Sequence, residues 1–522
     1  MPWLGLCTND PTRPRSKIIA FFGLLLVADW FLYFRHAAHF FSGDTVFWLN
    51  HRVGSVSDYL KELTQPSPQL WYRPFANQLI ESILFPIVGL HPIPYRIPVY
   101  ATFLAITVVV YMLVLALSRR HLAAAIAVFF FSIQTANAYT TYDLGFMPEL
   151  LYTFFYITGT LAYLRYVETE NRAAYGISLA CFVFALLSKE AAVTLPLTLL
   201  ATHVIFYPGY RRSPGRLIHA ARATAPHMLI LVVYLVFALG YLNVRDFTLT
   251  KLMNQSQPSS DYFPVFGLGM LKNADVSLSW AFNIPRAYAA QSEPLNAFML
   301  GYLKFFRALV LLLTAVVLIR SDRKAILFGL AWFWIALLPA LPLIRHFLPY
   351  YVFLPAVGLS LTVGIVFAWL YDALSRIHTS IATAIIVLTF SGLFYVSSRR
   401  IDNTIEHDGI LGGSAKAAWN TLNDLRHFYP TLHEGATLYF VDGSESLLWY
   451  HASGGLIKMA YDIEKISVLY ESQGDQFSPE TQNVFVFGVR NGRLIDETIH
   501  YRSNPHDFAR FVNSSSSYRP IR

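Results

Sequence analysis

Apolar residues fall into long runs at about 18–37, 97–117, 121–138, 148–166, 173–188, 191–207, 226–243, 296–319, 325–342, 350–371 and 380–397. A helix needs roughly 20 residues at about 1.5 Å rise to cross hydrocarbon, and most of these runs qualify. The pattern predicts an all-α polytopic membrane protein of about eleven transmembrane helices. Lys and Arg sit between the runs. With Arg13, Arg15 and Lys17 in the cytoplasm, every second connection is cytoplasmic and basic: Arg119-Arg120, Arg165 with Arg172, Arg211 to Arg222, Arg320 to Lys324, and Arg376. Two short runs meet at Ser188-Lys189-Glu190, and were 173–207 a single broken helix, every later side would invert.

This topology places the long polar pieces outside: a first loop over about 38–96, another over about 244–295, and a tail after 397. In the first loop, Asp44 to Trp48 starts a short amphipathic helix, and Trp71-Tyr72-Arg73-Pro74 opens a second amphipathic run, Phe75 to Leu90, suited to the interface plane. The tail, 398–522, changes character. Ser414 to His427 predicts an amphipathic helix, Ala436 to Val441 a buried strand, and Glu445 to Ala460 a second helix. Asn483 to Val489 and Arg493 to His500, joined through Asn491-Gly492, predict a hairpin. The tail is thus expected to be a small C-terminal α/β extracytoplasmic domain whose last residues are disordered. The N-terminal run has no small-residue cleavage site and is read as an uncleaved first span.

Composition agrees with the pattern. The chain has 522 residues, of which 55% are hydrophobic and 14% charged, with a mean hydropathy of +0.43, more apolar surface than a soluble globule buries. The formal net charge of +8 is explained by topology and not by nucleic acid. Cys7 precedes the first helix and Cys181 lies inside an apolar run, so no disulfide joins them. No solenoid repeat, P-loop, dinucleotide motif or His-Cys metal spacing is present.

Candidate chemistry gathers in the outer turns. Asp44 follows the first span by a few residues, and as the bland alternative it caps the amides of its helix. The second outer turn holds Asp143 and Glu149 around a Gly and a Pro; the third is Ser188-Lys189-Glu190; the last short one is Arg345-His346 with Tyr350-Tyr351. A helix-end Lys or Arg is ordinarily a snorkelling anchor, but several converging from different loops point to a site. Asp29, inside the first span, is expected to be hydrogen-bonded between helices.

The segments Trp71 to Phe75, Leu187 to Glu190 and Arg345 to Gly358, with the uncleaved first helix and the acidic first loop, resemble the GT-C class of integral-membrane glycosyltransferases. The likeness is to the protein O-mannosyltransferase-like branch, notably the transmembrane tetratricopeptide-repeat mannosyltransferases, and covers about residues 15–397. Two features depart from it. Gly43-Asp44-Thr45 stands where the family often has paired acids, and an α/β tail replaces the repeat array.

The resemblance implies an inverting hexosyltransferase that uses a polyprenyl-phosphate sugar and an acceptor hydroxyl on protein, lipid or glycan. In that reaction Asp44 is the expected catalytic base. Arg73, Lys189 and Arg345 are the expected donor-phosphate cations. Asp143, Glu149, Glu190, His346 and Tyr72 are substrate-orienting candidates, although Asp143 and Glu149 serve equally as caps of the helix near Pro148. No cofactor is expected; a divalent cation is compatible with the carboxylates but dispensable, because phosphate already leaves readily. The expected location is a bacterial plasma (inner) membrane, multi-pass, with a cytoplasmic N-terminus and an extracytoplasmic C-terminal domain. Two rivals are a transporter or flippase, for which mid-bilayer charges should recur in both halves of the chain, and a scaffold whose tail binds a partner.

Overall fold

The computed structural model describes residues 15–64, 72–207, 216–244, 264–286, 296–320, 323–441, 445–475, 481, 483–490 and 492–503. The expectations at Cys7, Arg13, Trp71, Arg211, Asn491 and the extreme C-terminus lie outside them.

Each of the eleven apolar runs carries a helix. They are α1 (Arg15–Leu32), α5 (Pro92–Ser118), α6 (His121–Ser132), α8 (Met147–Thr169), α9 (Arg172–Ser188), α10 (Leu195–Phe206), α11 (Arg216–Val244), α13 (Ala297–Arg320), α14 (Lys324–Leu337), α15 (Phe353–Ser375) and α16 (Thr379–His407). Between them lie α2 (Gly43–Asn50), α3 (Val56–Thr64), α4 (Leu79–Val88), the single turn α7 (Asn137–Thr140) and α12 (Gly269–Trp280). Six of the helices are long and apolar enough to cross a membrane, and shorter apolar ones fill in between.

The centre of the bundle is α15, 89% of whose most apolar window is buried. Glycine puts it there. A Cβ on Gly358 would meet Phe333 N at 2.9 Å, and one on Gly329 would meet Gly358 O at 2.6 Å, so α14 and α15 approach backbone to backbone. On the other flank a Cβ on Gly364 would meet Ala127 Cβ of α6 at 2.8 Å. By contrast α1, α11 and α16 turn Ile19, Leu24, Val27, Leu229, Val233, Val236, Val387 and Leu388 outward, an apolar belt suited to lipid.

Helices α9 and α10 are separate and run in opposite directions. Helix α9 is antiparallel to α8, with Phe155 against Phe184 and Tyr166 against Tyr175 at ring separations of 5.3 and 4.7 Å, whereas α10 is parallel to α8, with Tyr156 bonding Thr198 (2.5 Å) and Tyr163 bonding His203 (3.1 Å). Lys189-Glu190 is therefore the tip of a reversal, not a break within one helix.

Several boundaries differ from expectation. The runs at 121–138 and 325–342 stop being helical at Ser132 and Leu337, and irregular backbone follows. The stretch 244–295 contains α12, tied down by Asn273, which donates to Leu341 O at 2.9 Å. The run Phe75 to Leu90 opens as a π turn, Pro74–Gln78, before α4. The last apolar run does not end at 397 but continues in α16 to His407, carrying the chain into the tail.

The tail comprises α17 (Gly412–Phe428), β1 (Thr437–Val441), α18 (Glu445–Tyr450), α19 (Gly455–Tyr461), β2 (Ser467–Tyr470), β3 (Val484–Arg490), β4 (Arg493–Asp496) and α20 (Thr498–Ser503). The sheet order is β2-β1-β3-β4, with β1 parallel to β2 and β3, and β4 antiparallel to β3. Leu425, Leu438, Phe440, Ile457 and Phe487 fill its own core. The single helix expected over Glu445 to Ala460 is two, because Ala452, Ser453 and Gly454 take left-handed backbone. The second hairpin arm is strand only to Asp496 and then turns into α20, and β2 was not expected.

The crossing of α14 and α15 generates a stability prediction. Gly358→Ala should destabilise the bundle by about 1–3 kcal/mol through overpacking, seen as a lowered Tm in detergent. Gly23→Ala, where a Cβ meets nothing within 4 Å, should leave Tm level or slightly raised. An unchanged Tm for Gly358→Ala would contradict the packing described.

Candidate functional site

Asp44 lies in the first turn of α2, a helix capped by Ser42, whose hydroxyl accepts from Thr45 N at 3.5 Å. Gly43, Thr45, Val46, Trp48 and Leu49 are buried while Asp44 is partly exposed. Two glycines set this turn. A Cβ on Gly145 would lie 2.8 Å from both Asp44 Cβ and Thr45 N, and a Cβ on Gly43 would meet the Trp449 indole of α18, 2.7 Å from Cδ1. The turn is thus held between the loop that carries Gly145 and the C-terminal domain. Among the described residues the Asp44 carboxylate makes no hydrogen bond, and the residue keeps partial exposure.

Asp143 caps the short turn Leu144–Phe146 and not the helix at Pro148, α8, whose own N-cap Phe146 makes no side-chain bond. One oxygen accepts from Ser42 N at 2.8 Å and the other from Gly145 N at 3.3 Å, and Thr45 Oγ1 accepts from Gly145 N at 2.8 Å. Arg96, which sequence reasoning missed, braces the same corner. It is 1% exposed, donates to His39 O and Phe40 O at 3.1 and 3.2 Å, lies over the Tyr142 ring at 4.6 Å and stands 3.9 Å from Asp143. An arginine early in an apolar run, Tyr95-Arg96-Ile97, is the signal that could have found it.

The cations arrive from two other turns. Arg73, just before the π turn, closes its guanidinium fork on Glu190 at 3.1 and 2.7 Å. Lys189, at the tip between α9 and α10, is buried and paired with Glu149 in the first turn of α8. Its ammonium faces the rings of Tyr350 and Tyr351 at 5.3 and 5.2 Å, so the loop carrying Arg345 reaches the same corner. Arg345 itself is exposed. His346 hydrogen-bonds the Tyr350 hydroxyl at 3.2 Å. Tyr72 turns aside, donating to Leu63 O at 3.0 Å and packing on Phe237.

Four carboxylates, Asp44, Asp143, Glu149 and Glu190, therefore share three enclosed cations, Arg73, Arg96 and Lys189. The surplus shows in the titration of Asp44. Burial first, then the like charge of Asp143, push its carboxyl up to about 7, against the pull of Arg73 and Lys189. Burial lowers Lys189. Glu190, although burial opposes it, is held below the usual carboxylate range by Arg73 and Lys189. A carboxylate poised near neutrality, without a hydrogen-bond partner and beside two cations, can accept a proton from a hydroxyl.

Asp29 is hydrogen-bonded between helices: Ser132 donates to it, and Tyr33 donates to Ser132 O at 2.6 Å. This ties α1 to the end of α6. Among the described residues Cys181 is buried and free.

No protein-family profile matches the chain, and no curated protein matches it significantly. Solved structures do. The apo oligosaccharyltransferase of Archaeoglobus fulgidus superposes with a TM-score of 0.50 at 15% identity, over 87% of this chain and 64% of its own. Apo ArnT from Cupriavidus metallidurans superposes with a TM-score of 0.52 at 13% identity, over 94% of this chain and 95% of its own. This chain thus spans under two thirds of the oligosaccharyltransferase and nearly all of ArnT. Both are GT-C membrane enzymes, and the likeness is one of architecture: this is a membrane protein with the GT-C fold and a small α/β domain at its C-terminal end.

Proposed function

We propose that the protein is an inverting glycosyltransferase that moves a sugar from a polyprenyl-phosphate donor to an acceptor hydroxyl at the outer face of a membrane. The observation that carries this reading is Asp44, a partly exposed carboxylate without a hydrogen bond in the field of Arg73 and Lys189. As the acceptor oxygen bonds the anomeric carbon, its proton passes to Asp44. The bond between that carbon and the phosphate oxygen breaks, and polyprenyl phosphate leaves with the electron pair. Positive charge nearby stabilises the departing phosphate.

The arrangement refines the roles expected of the cations. Arg73 is already clamped on Glu190 and Lys189 on Glu149, so a lipid phosphate must share those cations with the carboxylates or displace the more exposed Glu190. Arg345 is exposed and makes no ion pair among the described residues. It is the first contact for an incoming phosphate, with Lys189 and Arg73 behind it. These cations supply the charge that a divalent metal would otherwise bring to the leaving group. Trp449 packs on the turn that bears Asp44, and in this reading the C-terminal domain flanks the acceptor's approach. The lipid-linked donor, the hexose and the mannosyltransferase-like branch belong to this proposal, as do the inner-membrane location and the outward-facing site.

Three measurements in proteoliposomes test the reading. Asp44→Asn should lower transfer by about 10²–10⁴-fold, the usual worth of a general base, while the variant keeps the wild-type Tm; retained transfer would refute the base. The rate should fall as pH drops through about 7, the region to which the Asp44 carboxyl is raised, because only the ionised form accepts a proton. A rate flat between pH 5 and pH 8 would count against it. Arg345→Ala should raise the donor KM about tenfold or more, the loss of one charge-assisted contact, with kcat largely kept. An unchanged KM would remove Arg345 from the donor path.

A further inference from the structure

Beyond the Asp44 site, a second cluster of chemistry-bearing side chains lies where α1 ends and α16 passes. His36 and His39 stand on the short segment after α1, and Glu406 lies one residue before the end of α16. Glu406 Oε1 is 3.1 Å from His36 Nδ1 and 3.4 Å from His39 Nε2. The three ligand atoms all lie within 4.8 Å of one another. Among the described residues the ion-pair partners of Glu406 are these two imidazoles alone, with no lysine or arginine on it. A carboxylate facing only two imidazoles lacks a cation.

The groups behind the imidazoles have the arrangement that metal-binding histidines need. His36 Nε2, the nitrogen away from Glu406, is 3.2 Å from Asp402 one turn earlier on α16. That contact allows Nε2–H to be donated to the carboxylate and leaves Nδ1 as a lone pair facing Glu406, the carboxylate–histidine–metal relation. Arg35 supplies the alternative, since its Nε lies 3.1 Å from the same nitrogen and its Nη2 2.5 Å from Asp402; a metal on Nδ1 would settle the ring in favour of Asp402. His39 Nδ1, the nitrogen away from Glu406, is 3.3 Å from the Tyr142 hydroxyl. His36 is buried, whereas the His39 and Glu406 side chains are 28% and 44% exposed, which gives an ion a way in and room for water as a fourth ligand.

We propose that His36, His39 and Glu406 form a binding site for a divalent transition metal of the zinc class. Two neutral imidazoles and one carboxylate suit zinc better than calcium or magnesium, which prefer all-oxygen shells. The site joins the end of the first span to the helix that carries the C-terminal domain. His39 precedes Asp44 by five positions, and Arg96 holds His39 O, so the metal would fix the segment from which the Asp44 turn begins. Its role is positional, and it stands whether or not Asp44 is a base.

The test uses full-length protein in detergent, stripped with a chelator and titrated with zinc or cobalt(II). Wild type should bind about one equivalent of zinc per chain, gain thermal stability on binding, and show the intense visible bands of low-coordinate cobalt(II). Asp402→Asn, which leaves all three ligands in place, should weaken zinc binding about 10–100-fold. His39→Asn with Glu406→Gln should abolish it. Absence of the cobalt spectrum and of any zinc-dependent Tm shift in wild type would overturn the site, as would undiminished binding in the double variant. Should the double variant not fold, the wild-type spectrum and Asp402→Asn decide the question. Sugar transfer by Asp44→Asn plays no part in the outcome.

Discussion

The site depends on the electrostatic balance at the end of the bundle where α8 begins and α9 ends. Lys189 is buried against Glu149, and Arg73 is closed on Glu190. Removing charges from water costs several kcal/mol per ion, and an isolated pair seldom recovers it for stability alone. Three enclosed cations against four carboxylates leave one acid without a full partner, and geometry makes that acid Asp44. It is the carboxylate that makes no hydrogen bond among the described residues, whereas Asp143 is occupied by two backbone amides. An acid that shares two cations without binding either can ionise near neutral pH and still take a proton.

Backbone proximity makes this corner possible. Gly145 lets the second loop lie against the Asp44 turn, and Gly43 lets the Trp449 indole do the same from the other side. Gly455 approaches Asn50 at the far end of α2 in the same way, so the C-terminal domain is seated along the whole helix. Arg96 fastens the chain before α2 by its carbonyls. The site is built from α2, the second loop, the α9–α10 reversal and the C-terminal domain, and none of these alone would fix the carboxylate.

Much of the fold was legible because the membrane imposes a strong pattern. Eleven apolar runs correspond to eleven helices. Legibility failed where tertiary contact overrides periodicity. Helices α6 and α14 stop short of their apolar runs because burial, not helicity, sets the composition there. The helix expected at Glu445 to Ala460 breaks at a left-handed Gly454 that hydropathy does not register. At the site, residue types at helix ends revealed Asp44, Arg73, Lys189 and Glu190 as candidates, but not that each cation already has a carboxylate. Pairing between residues as distant as Arg73 and Glu190 leaves no local trace. Arg96 did leave a local trace, an arginine beside an apolar run, whereas the His36, His39, Glu406 cluster was missed because His36 and Glu406 look unremarkable until α1 and α16 are set side by side.

The most direct test of the central claim is a structure of the protein with a non-transferable polyprenyl-phosphonate sugar. The phosphonate should lie against Arg345, Lys189 and Arg73, with the anomeric carbon turned so that one hydroxyl oxygen fits between it and the Asp44 carboxylate. A phosphonate bound elsewhere on the bundle, or an anomeric carbon turned away from Asp44, would contradict that claim.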